Sequence, residues 1–314
     1  MDRAEIVDCR AVPAGADEVM LVLLWHLGDV LNSTALLPGL RKRHGRRLTF
    51  VTTRPGIPLL SHHPDVARIR VVDFPVPQRV TPEMWRWLDT VHEELFPGHQ
   101  SVYNLHRQTP DLRRMSRHII EHWAALVALE RPADGWRPYF QPGRSIAQEP
   151  GAEYVVLGNG GTDPAKRWPT SRWRNLLASL RERHPSLEYT QIGTHNDPLI
   201  EGVQDRRGAS FDEGYWLLKG ARACVTNDSF IAHFAATTDC PTVAMFGPTS
   251  PRQFRPLAPS VTPLGGHHYR TPCSRNLCRF VRGYVACLAF PSGSRVLDAT
   301  ERALSLGHPA RHPF

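Results

Sequence analysis

Residues 222–251 read RACVTNDSFIAHFAATTDCPTVAMFGPTSP, and this stretch decides the fold. An apolar run at 223–225 predicts a buried strand, and the polar run at 226–229 that follows it is rich in helix N-capping residues. Apolar side chains then recur at helical spacing through 231–235, and a second apolar run at 242–246 predicts another strand. The order strand, polar loop, helix, strand predicts a βαβ unit.

The polar loop of this unit is a candidate ligand site. Ligands of open α/β sheets bind at the carboxyl ends of the strands, and a helix N-terminus there offers free N–H groups to a phosphate. The candidate residues are Asn227, Asp228 and Ser229, with His233 one turn into the helix. An ordinary capped helix with a buried histidine has the same local pattern, so this stretch alone leaves both interpretations open.

The rhythm of strands and helices extends along the whole chain. Apolar runs predict strands at 19–25, 48–53, 69–74, 102–105, 154–157 and 187–192. Helical spacing predicts helices at 82–96, 112–129, 171–183, 211–221 and 296–306. Thr170 or Ser171 is expected to cap the helix at 171–183, and Pro38 predicts a kink or a late start in a helical segment that runs to His44. This alternation is typical of parallel sheets covered by helices on both faces.

A proline- and glycine-rich stretch, residues 131–152, divides the rhythm into two halves and is the best candidate for a linker. We therefore expect an α/β fold of two domains, residues 1–145 and 146–314. A chain of 314 residues is long enough for two domains of ordinary size.

The composition restricts which cellular compartment and which partners are expected. The N-terminal sequence MDRAEIVDCRAVPAG has no apolar segment of the kind found in signal peptides, and no run of 18 apolar residues exists, so a cytoplasmic protein is expected. The net charge of +8 favours anionic partners such as a nucleotide or a phosphorylated glycan. Nucleic acid is not expected, because the chain has no zinc finger, no RNA-binding aromatic motif and no dense basic run.

Two further motifs follow predicted strands. His26, Gly28 and Asp29 come after the first strand, where Gly28 permits a tight turn and Asp29 is a candidate general base, although an N-cap aspartate is the commoner role. Residues 158–169, GNGGTDPAKRWP, form a glycine-rich turn that ends in Lys166, one of only three lysines, and is suited to a diphosphate. The turn is neither a P-loop nor a dinucleotide fingerprint, and a surface loop with a solvated lysine is the alternative.

Taken together, these motifs resemble glycosyltransferase family 9, the heptosyltransferases that add heptose to the lipopolysaccharide core. The resemblance spans residues 19–296, and its blocks are LGDVLNSTALLPGLRKRHG, HHPDVARIRVVDF, AKRWPTSRWRNLLASL, LLKGARACVTNDSFIAHFAA and PTVAMFGPTSP.

The resemblance implies a GT-B fold, in which two Rossmann-like domains face each other across a cleft. Residues 1–145 would form the acceptor domain and residues 146–314 the donor domain. The implied reaction is an inverting transfer from ADP-heptose or a similar nucleotide-sugar, without a catalytic metal. The acceptor would be a glycan, a protein or a small molecule, and the enzyme would be peripheral at the inner membrane if it acts on lipopolysaccharide.

The family's site residues carry over by position. Asp29 would deprotonate the acceptor hydroxyl, with His26 and Gly28 in the same acceptor loop. The residues implied to bind the donor are Thr162, Lys166, Asn227, Asp228, Ser229 and His233. Phe230 replaces the family's glycine, so a narrower pocket or a different sugar is expected. The family's acidic ribose contact stays open among residues 194–197.

The tail contains Cys273, Cys278 and Cys287. A structural zinc or iron site is one interpretation, and reduced structural thiols are the other, which the odd number of cysteines favours. Two rival functions also remain: a non-catalytic nucleotide- or glycan-binding relative, and a dinucleotide-dependent oxidoreductase. The oxidoreductase ranks last because Asp163 replaces the third glycine of its fingerprint.

Overall fold

The computed structural model describes residues 3–9, 11–24, 26–73, 82–107, 115–146, 153–265 and 290–306. The chain divides into two compact units, Met1–Gly143 (unit 1) and Arg144–Phe314 (unit 2). The division falls inside the proline- and glycine-rich stretch that the sequence marks as a linker.

Unit 1 is built on a parallel sheet with the strand order β1-β4-β3-β2-β5. Its strands are β1 (Glu5–Asp8), β2 (Met20–Val22), β3 (Leu48–Thr52), β4 (Val66–Val71) and β5 (Val102–Asn104). Its helices are α1 (Leu27–Ser33), α2 (Leu37–His44), α3 (Ile57–Leu60), α4 (Pro82–Leu95) and α5 (Ile119–Leu126). Every residue of β2 and β3 is buried, because helices cover both faces of a parallel sheet.

Unit 2 contains a second parallel sheet, with the strand order β11-β10-β9-β6-β7-β8. Its strands are β6 (Tyr154–Gly158), β7 (Glu188–Gly193), β8 (Gln204–Arg207), β9 (Ala223–Asn227), β10 (Thr242–Phe246) and β11 (Val261–Gly265). Its helices are α6 (Thr170–Arg183), α7 (Phe211–Gly220), α8 (Phe230–Ala236), α9 (Pro251–Phe254) and α10 (Gly293–Ser305). The βαβ unit predicted from residues 222–251 is therefore present as β9, α8 and β10.

The differences between the predicted and the observed strands lie mostly at sheet edges. The strands β1, β8 and β11 were not predicted, and each of them is an edge strand with few buried residues. An edge strand needs little apolar surface, so the sequence of β8, QDRR, carries no strand pattern. The strand β4 also begins earlier than expected, at Val66 rather than at residue 69.

The observed helix boundaries test the proline and N-cap signals in the sequence. Pro38 lies at the start of α2, and a 3-10 turn (Thr34–Leu36) separates α2 from α1, which confirms the expected break. The expected cap of α6 was wrong: Pro169 occupies the N-cap and makes no side-chain bond, while Thr170 is already helical. The observed φ of −55° at Pro169 lies in the narrow range that the proline ring allows.

A buried ion pair fastens the start of unit 1 to its sheet. The side chain of Arg70 on β4 is fully buried, and its guanidinium donates to both carboxylate oxygens of Glu18, at 2.8 and 2.7 Å. It also donates to the carbonyls of Val12 and Pro13, at 2.6 and 2.9 Å. Burial by itself raises the pKa of Glu18, but the bonds from Arg70 and Gly15 and the charges of Arg70 and Arg68 lower the pKa to about 2.

This pair predicts a specific acid sensitivity. Because the folded pKa of Glu18 lies below its ordinary value of 4.5, the pair stabilises the fold above that pH and is lost as pH falls toward 2. Glu18→Gln should flatten this acid limb and also lower the free energy of unfolding at pH 7 by about 3 kcal/mol, since Arg70 loses its charged partner. Urea unfolding from pH 7 to pH 2.5 measures both effects. Glu83→Gln, at an exposed helix position, is the control, and an unchanged acid limb in Glu18→Gln would contradict the prediction.

The described helices include none that has both the length and the apolar character required to cross a membrane.

Candidate active site

Three loops of unit 2 lie side by side at the carboxyl edge of its sheet. The strands β6, β9 and β10 are neighbours in the sheet, so the loops after them meet at one edge. These loops carry the glycine-rich turn at 158–161, the polar residues at 227–229 and the Gly-Pro-Thr sequence at 247–249. The sheet topology thus brings together motifs that are up to about ninety residues apart in sequence.

An ion pair connects two of these loops. Lys166 ends a 3-10 turn (Pro164–Lys166), whose start is capped by Asp163 through a 2.9 Å bond from the N–H of Ala165 to its carboxylate. The Nζ atom of Lys166 lies 2.8 Å from Oδ2 of Asp228. The Asp228 side chain is only 4% exposed, whereas that of Lys166 is 30% exposed. A buried carboxylate therefore holds a partly exposed cation at the carboxyl edge.

The third loop binds the same carboxylate. Thr249 donates its hydroxyl to Oδ2 of Asp228, the oxygen that also pairs with Lys166. Sequence reasoning assigned no role to Thr249, although it lies in the block PTVAMFGPTSP that carries the family resemblance. Its contribution depends on how β10 lies beside β9, which a local pattern does not reveal.

Side chains donate hydrogen bonds to the carbonyl groups of the glycine-rich turn. The carbonyls of residues 158, 159, 160 and 161 accept from Thr226 Oγ1 (2.9 Å), Asn227 Nδ2 (2.7 Å), Asn227 Nδ2 (3.2 Å) and Arg167 Nε (2.9 Å), respectively. Carbonyl oxygens repel anions, and here the protein supplies a donor to four of them in succession. This arrangement suits a turn that receives a negatively charged group.

The predicted donor residues occupy different positions around this edge. Thr162 is exposed, and Ser229 is the N-cap of α8, although its side chain makes no capping bond. His233 is buried in α8, with 7% of its surface exposed. Asn227 was expected to contact the ligand, but its side chain is fully buried and bonded to backbone groups.

Phe230 packs within unit 2. Its ring stacks on Phe234 at a centroid distance of 5.1 Å and meets the edge of Phe211 on α7 at 5.3 Å. These contacts give the residue a packing role between α7 and α8. The expected effect of Phe230 on the sugar pocket stays a prediction.

An acidic side chain that the sequence left unassigned lies beside the glycine-rich turn. Asp197 follows β7, is 8% exposed, and accepts a 2.7 Å bond from the N–H of Thr194. A side chain at Gly160 would collide with its carboxylate, so Gly160 permits this close approach. Arg207 holds the same loop through a 2.6 Å bond to the carbonyl of Asp197. Among the candidates at 194–197, the structure places Asp197 against the turn.

The predicted acceptor residues lie where β2 leads into α1 of unit 1. Gly28 is inside α1, so the tight turn predicted there was wrong, and His26 instead adopts the positive φ of 60°. His26 is also the N-cap of α1, which corrects the alternative role of Asp29 as a cap. Asp29 lies in the first turn of the helix, is half-buried, and donates its backbone N–H to the carbonyl of His26 at 2.8 Å. A positive φ in a residue other than glycine is uncommon and often occurs at functional sites.

A buried histidine supports this strand end. The Nε2 atom of His106, which follows β5, accepts a 2.9 Å bond from the N–H of Leu24. Burial, with a smaller contribution from nearby His26, lowers the pKa of His106 to about 3, so its ring is neutral at physiological pH. No motif marks His106 in the sequence, because only the pairing of β2 with β5 brings it to this edge.

The predicted metal ligands Cys273, Cys278 and Cys287 lie outside the described residues. Within the described part of the chain, no group of three or more His, Cys, Asp or Glu side chains is arranged to hold a metal ion. Cys224 and Cys240 are buried free thiols, and burial raises the pKa of Cys240 to about 12. Such thiols are unreactive at neutral pH.

Comparison with known proteins relates the chain to characterised glycosyltransferases. Residues 209–282, which include Asn227, Asp228 and Thr249, match the family model described as Glycosyltransferase family 9 (heptosyltransferase). The chain is related to glycosyltransferase family 9. Lipopolysaccharide heptosyltransferase 1 of Pseudomonas aeruginosa is 30% identical over 145 residues, which cover 42% of this chain and 39% of that protein.

Solved structures of glycosyltransferases share the fold. E. coli ADP-heptose lps heptosyltransferase II has a TM-score of 0.63 at 18% identity, with 92% of this chain and 99% of that chain covered. The iron-containing dodecameric glycosyltransferase TibC of enterotoxigenic E. coli H10407 has a TM-score of 0.65 at 17% identity, with 97% of this chain and 77% of that chain covered. These identities are low, so the structural likeness shows the fold alone.

These comparisons confirm the resemblance to family 9 and the expected fold class, α/β of the GT-B type. The match to curated sequences is partial, because it spans only 39% of the Pseudomonas relative and 32% of lipopolysaccharide heptosyltransferase 2 of Salmonella typhimurium. Activity, substrates and partners are therefore matters for proposal.

Proposed function

We propose that this chain is an inverting glycosyltransferase that moves a heptose, or a related sugar, from ADP-heptose or a similar nucleotide-sugar to an acceptor hydroxyl. One observation carries the proposal: a buried Asp228 holds Lys166 and Thr249 beside a glycine-rich turn whose carbonyls are occupied. A cation next to such a turn is suited to a diphosphate. The identity of the proposed donor is taken from relatives whose names include ADP-heptose or heptosyltransferase.

The donor diphosphate would lie against Lys166 and Thr162, near Ser229 and His233. When the bond between the sugar and the diphosphate breaks, negative charge grows on the leaving phosphate. A pre-positioned cation stabilises that charge more in the transition state than in the ground state, which accelerates the reaction. Asp228 would contribute by fixing the ammonium group of Lys166 before the donor binds.

Asp29 of unit 1 would act as the general base. The acceptor hydroxyl attacks the anomeric carbon on the side opposite the diphosphate, so the configuration inverts in a single displacement. The hydroxyl proton passes to the Asp29 carboxylate as the new glycosidic bond forms. His26, with its unusual backbone conformation, and Gly28, in the first turn of α1, would border the acceptor next to that carboxylate.

Asp197 would bind the ribose of the donor. An acidic side chain after the second strand of a Rossmann-like unit is the usual partner of ribose hydroxyls, and Asp197 lies beside the turn proposed for the diphosphate. Asp197→Asn should weaken ADP binding about tenfold, because hydrogen bonds to a charged acceptor are stronger than those to a neutral one.

Isothermal titration with ADP and with 2′-deoxy-ADP and 3′-deoxy-ADP measures this role. The wild-type protein should prefer ADP over at least one of the deoxy nucleotides, and Asp197→Asn should lose that preference. Asp239→Asn is a matched control, since Asp239 is exposed and its positive φ of 57° is one that asparagine tolerates. Equal preference for ADP in Asp197→Asn would remove Asp197 from the ribose site.

The test of the function is release of ADP from ADP-heptose in the presence of isolated lipopolysaccharide core, with EDTA present. Acceptor-dependent ADP release, with the product anomer opposite to that of the donor by NMR, supports the proposal. Binding of ADP without transfer to glycan, protein or small-molecule acceptors would instead support the non-catalytic binding relative.

Four further predictions rest on the sequence alone. We expect the transfer to need no catalytic metal. A structural zinc or iron at Cys273, Cys278 and Cys287 is tested by measuring the metal content of the purified protein. The cytoplasmic location and peripheral association with the inner membrane are checked by cell fractionation.

A further inference from the structure

We propose that Asn227 is a positioning residue that shapes the donor site without touching the donor. This inference rests on the proposed function and names the residue that connects its parts. The side chain of Asn227 has no exposed surface. An amide buried in this way is not available to a ligand, yet it lies next in sequence to Asp228, which holds the catalytic cation.

The hydrogen bonds of Asn227 join three segments of unit 2. Its Nδ2 atom donates to the carbonyls of Asn159 and Gly160, at 2.7 and 3.2 Å. Its Oδ1 atom accepts a 3.2 Å bond from the N–H of Trp168, two residues after Lys166. The amide therefore connects the end of β9 to the glycine-rich turn and to the segment that carries Lys166.

Each of these bonds has a consequence for an incoming diphosphate. The two bonds from Nδ2 turn adjacent carbonyl oxygens into the protein, where they do not repel the phosphates. The bond to Trp168 fixes the chain on the far side of Lys166, while the pair with Asp228 fixes its ammonium group. Without the amide, the turn loses two of the four side-chain hydrogen bonds to its carbonyls and Lys166 loses part of its support, so the site would be present but loosely held.

A double-mutant cycle separates positioning from contact. Titration calorimetry with ADP is carried out on the wild-type protein, Asn227→Ala, Lys166→Ala and the double variant. Asn227→Ala should weaken ADP binding about tenfold, yet it should have little further effect in the Lys166→Ala background, because residues that act through one another are not additive. In the transfer assay, Asn227→Ala should raise the KM for the donor and leave the KM for the acceptor unchanged.

Asn104 of unit 1 offers a matched control. It is also a buried asparagine, with Nδ2 donating to the carbonyls of Leu88 and Asp89 and Oδ1 accepting from the N–H of His106. Asn104→Ala should lower the Tm about as much as Asn227→Ala while leaving the Kd for ADP unchanged. The comparison distinguishes loss of a buried amide in general from loss of this one.

Asn227→Asp is the second variant, in case alanine prevents folding. It keeps the volume and the oxygen that faces Trp168, but it removes both donors to the glycine-rich turn. Its Kd for ADP should rise at least as much as that of Asn227→Ala, and the same cycle with Lys166→Ala applies.

The possible outcomes distinguish a failure of the positioning role of Asn227 from a failure of the proposed function. If the wild-type protein binds no nucleoside diphosphate, the proposed function fails and this inference fails with it. If Lys166→Ala weakens binding but the Asn227 variants do not, only the role of Asn227 is overturned. If the effects of Asn227→Ala and Lys166→Ala are additive, Asn227 acts independently of Lys166 and the positioning role is also overturned.

Discussion

Replacing Asp29 by alanine or asparagine is expected to lower the rate of sugar transfer by about two to four orders of magnitude, the usual contribution of a general base. The acceptor hydroxyl is a weak nucleophile until its proton is removed, and Asp29 lies in the first turn of α1, next to the unusual backbone of His26. Steady-state release of ADP from ADP-heptose measures the loss.

The Asp29 variants should lose transfer activity but still bind the donor nucleotide. Asp29 belongs to unit 1, so the Kd for ADP should be unchanged. Asp17→Ala is the control, because the Asp17 side chain is 92% exposed and, among the residues that the structure describes, forms a long ion pair of 3.9 Å with Arg46. If a folded Asp29→Asn protein retains most of its transfer rate, the assignment of the base is wrong.

Lys166→Ala is expected to lower kcat/KM for the donor by about two to three orders of magnitude, as does removal of a charge-stabilising group elsewhere. The loss has two origins, since the variant removes the cation from the diphosphate and leaves the buried Asp228 with Thr249 but without its countercharge. The first origin lowers activity and the second lowers the Tm, so both quantities are measured on the same samples.

Two further lysine variants sharpen this result. Lys219→Ala, on an exposed position of α7, should leave both kcat/KM and the Kd for ADP unchanged. Lys166→Arg keeps the charge but replaces a compact ammonium by a planar fork, so it should restore only part of the activity. Full activity in Lys166→Ala would show that the diphosphate lies elsewhere.

The sequence predicted the centre of unit 2 better than its margins. The strands β9 and β10 contain the apolar runs 223–225 and 243–246, and the polar residues that follow the first run have the chemistry of a helix start, so local signals sufficed. The strands β8 and β11 pair along one side only, and their polar or proline-containing sequences carry no strand pattern. The same physical reason accounts for the missed β1 in unit 1.

The candidate site was only partly predictable, for a related reason. Lys166 and Asp228 were expected to act on the same donor, because each follows a strand of one sheet. Their direct pairing depends on the 3-10 turn that ends at Lys166, and the role of Thr249 depends on the adjacency of β9 and β10. Asn227 shows the converse: its residue type suggested a ligand contact, and only its burial reveals a supporting role.

The most direct test of the account is calorimetric titration of the purified protein with ADP, UDP, GDP and dTDP, followed by titration of Lys166→Ala with the nucleotide that binds best. We expect micromolar binding of ADP, weaker binding of the other three nucleotides, and clearly weaker but still measurable binding of ADP in Lys166→Ala. Tighter binding of another nucleotide would keep the diphosphate site and discard ADP-heptose as the donor. Absence of binding by all four, or binding that is unchanged in Lys166→Ala, would contradict the central claim that Lys166 and Asp228 form the site of a nucleotide-sugar diphosphate.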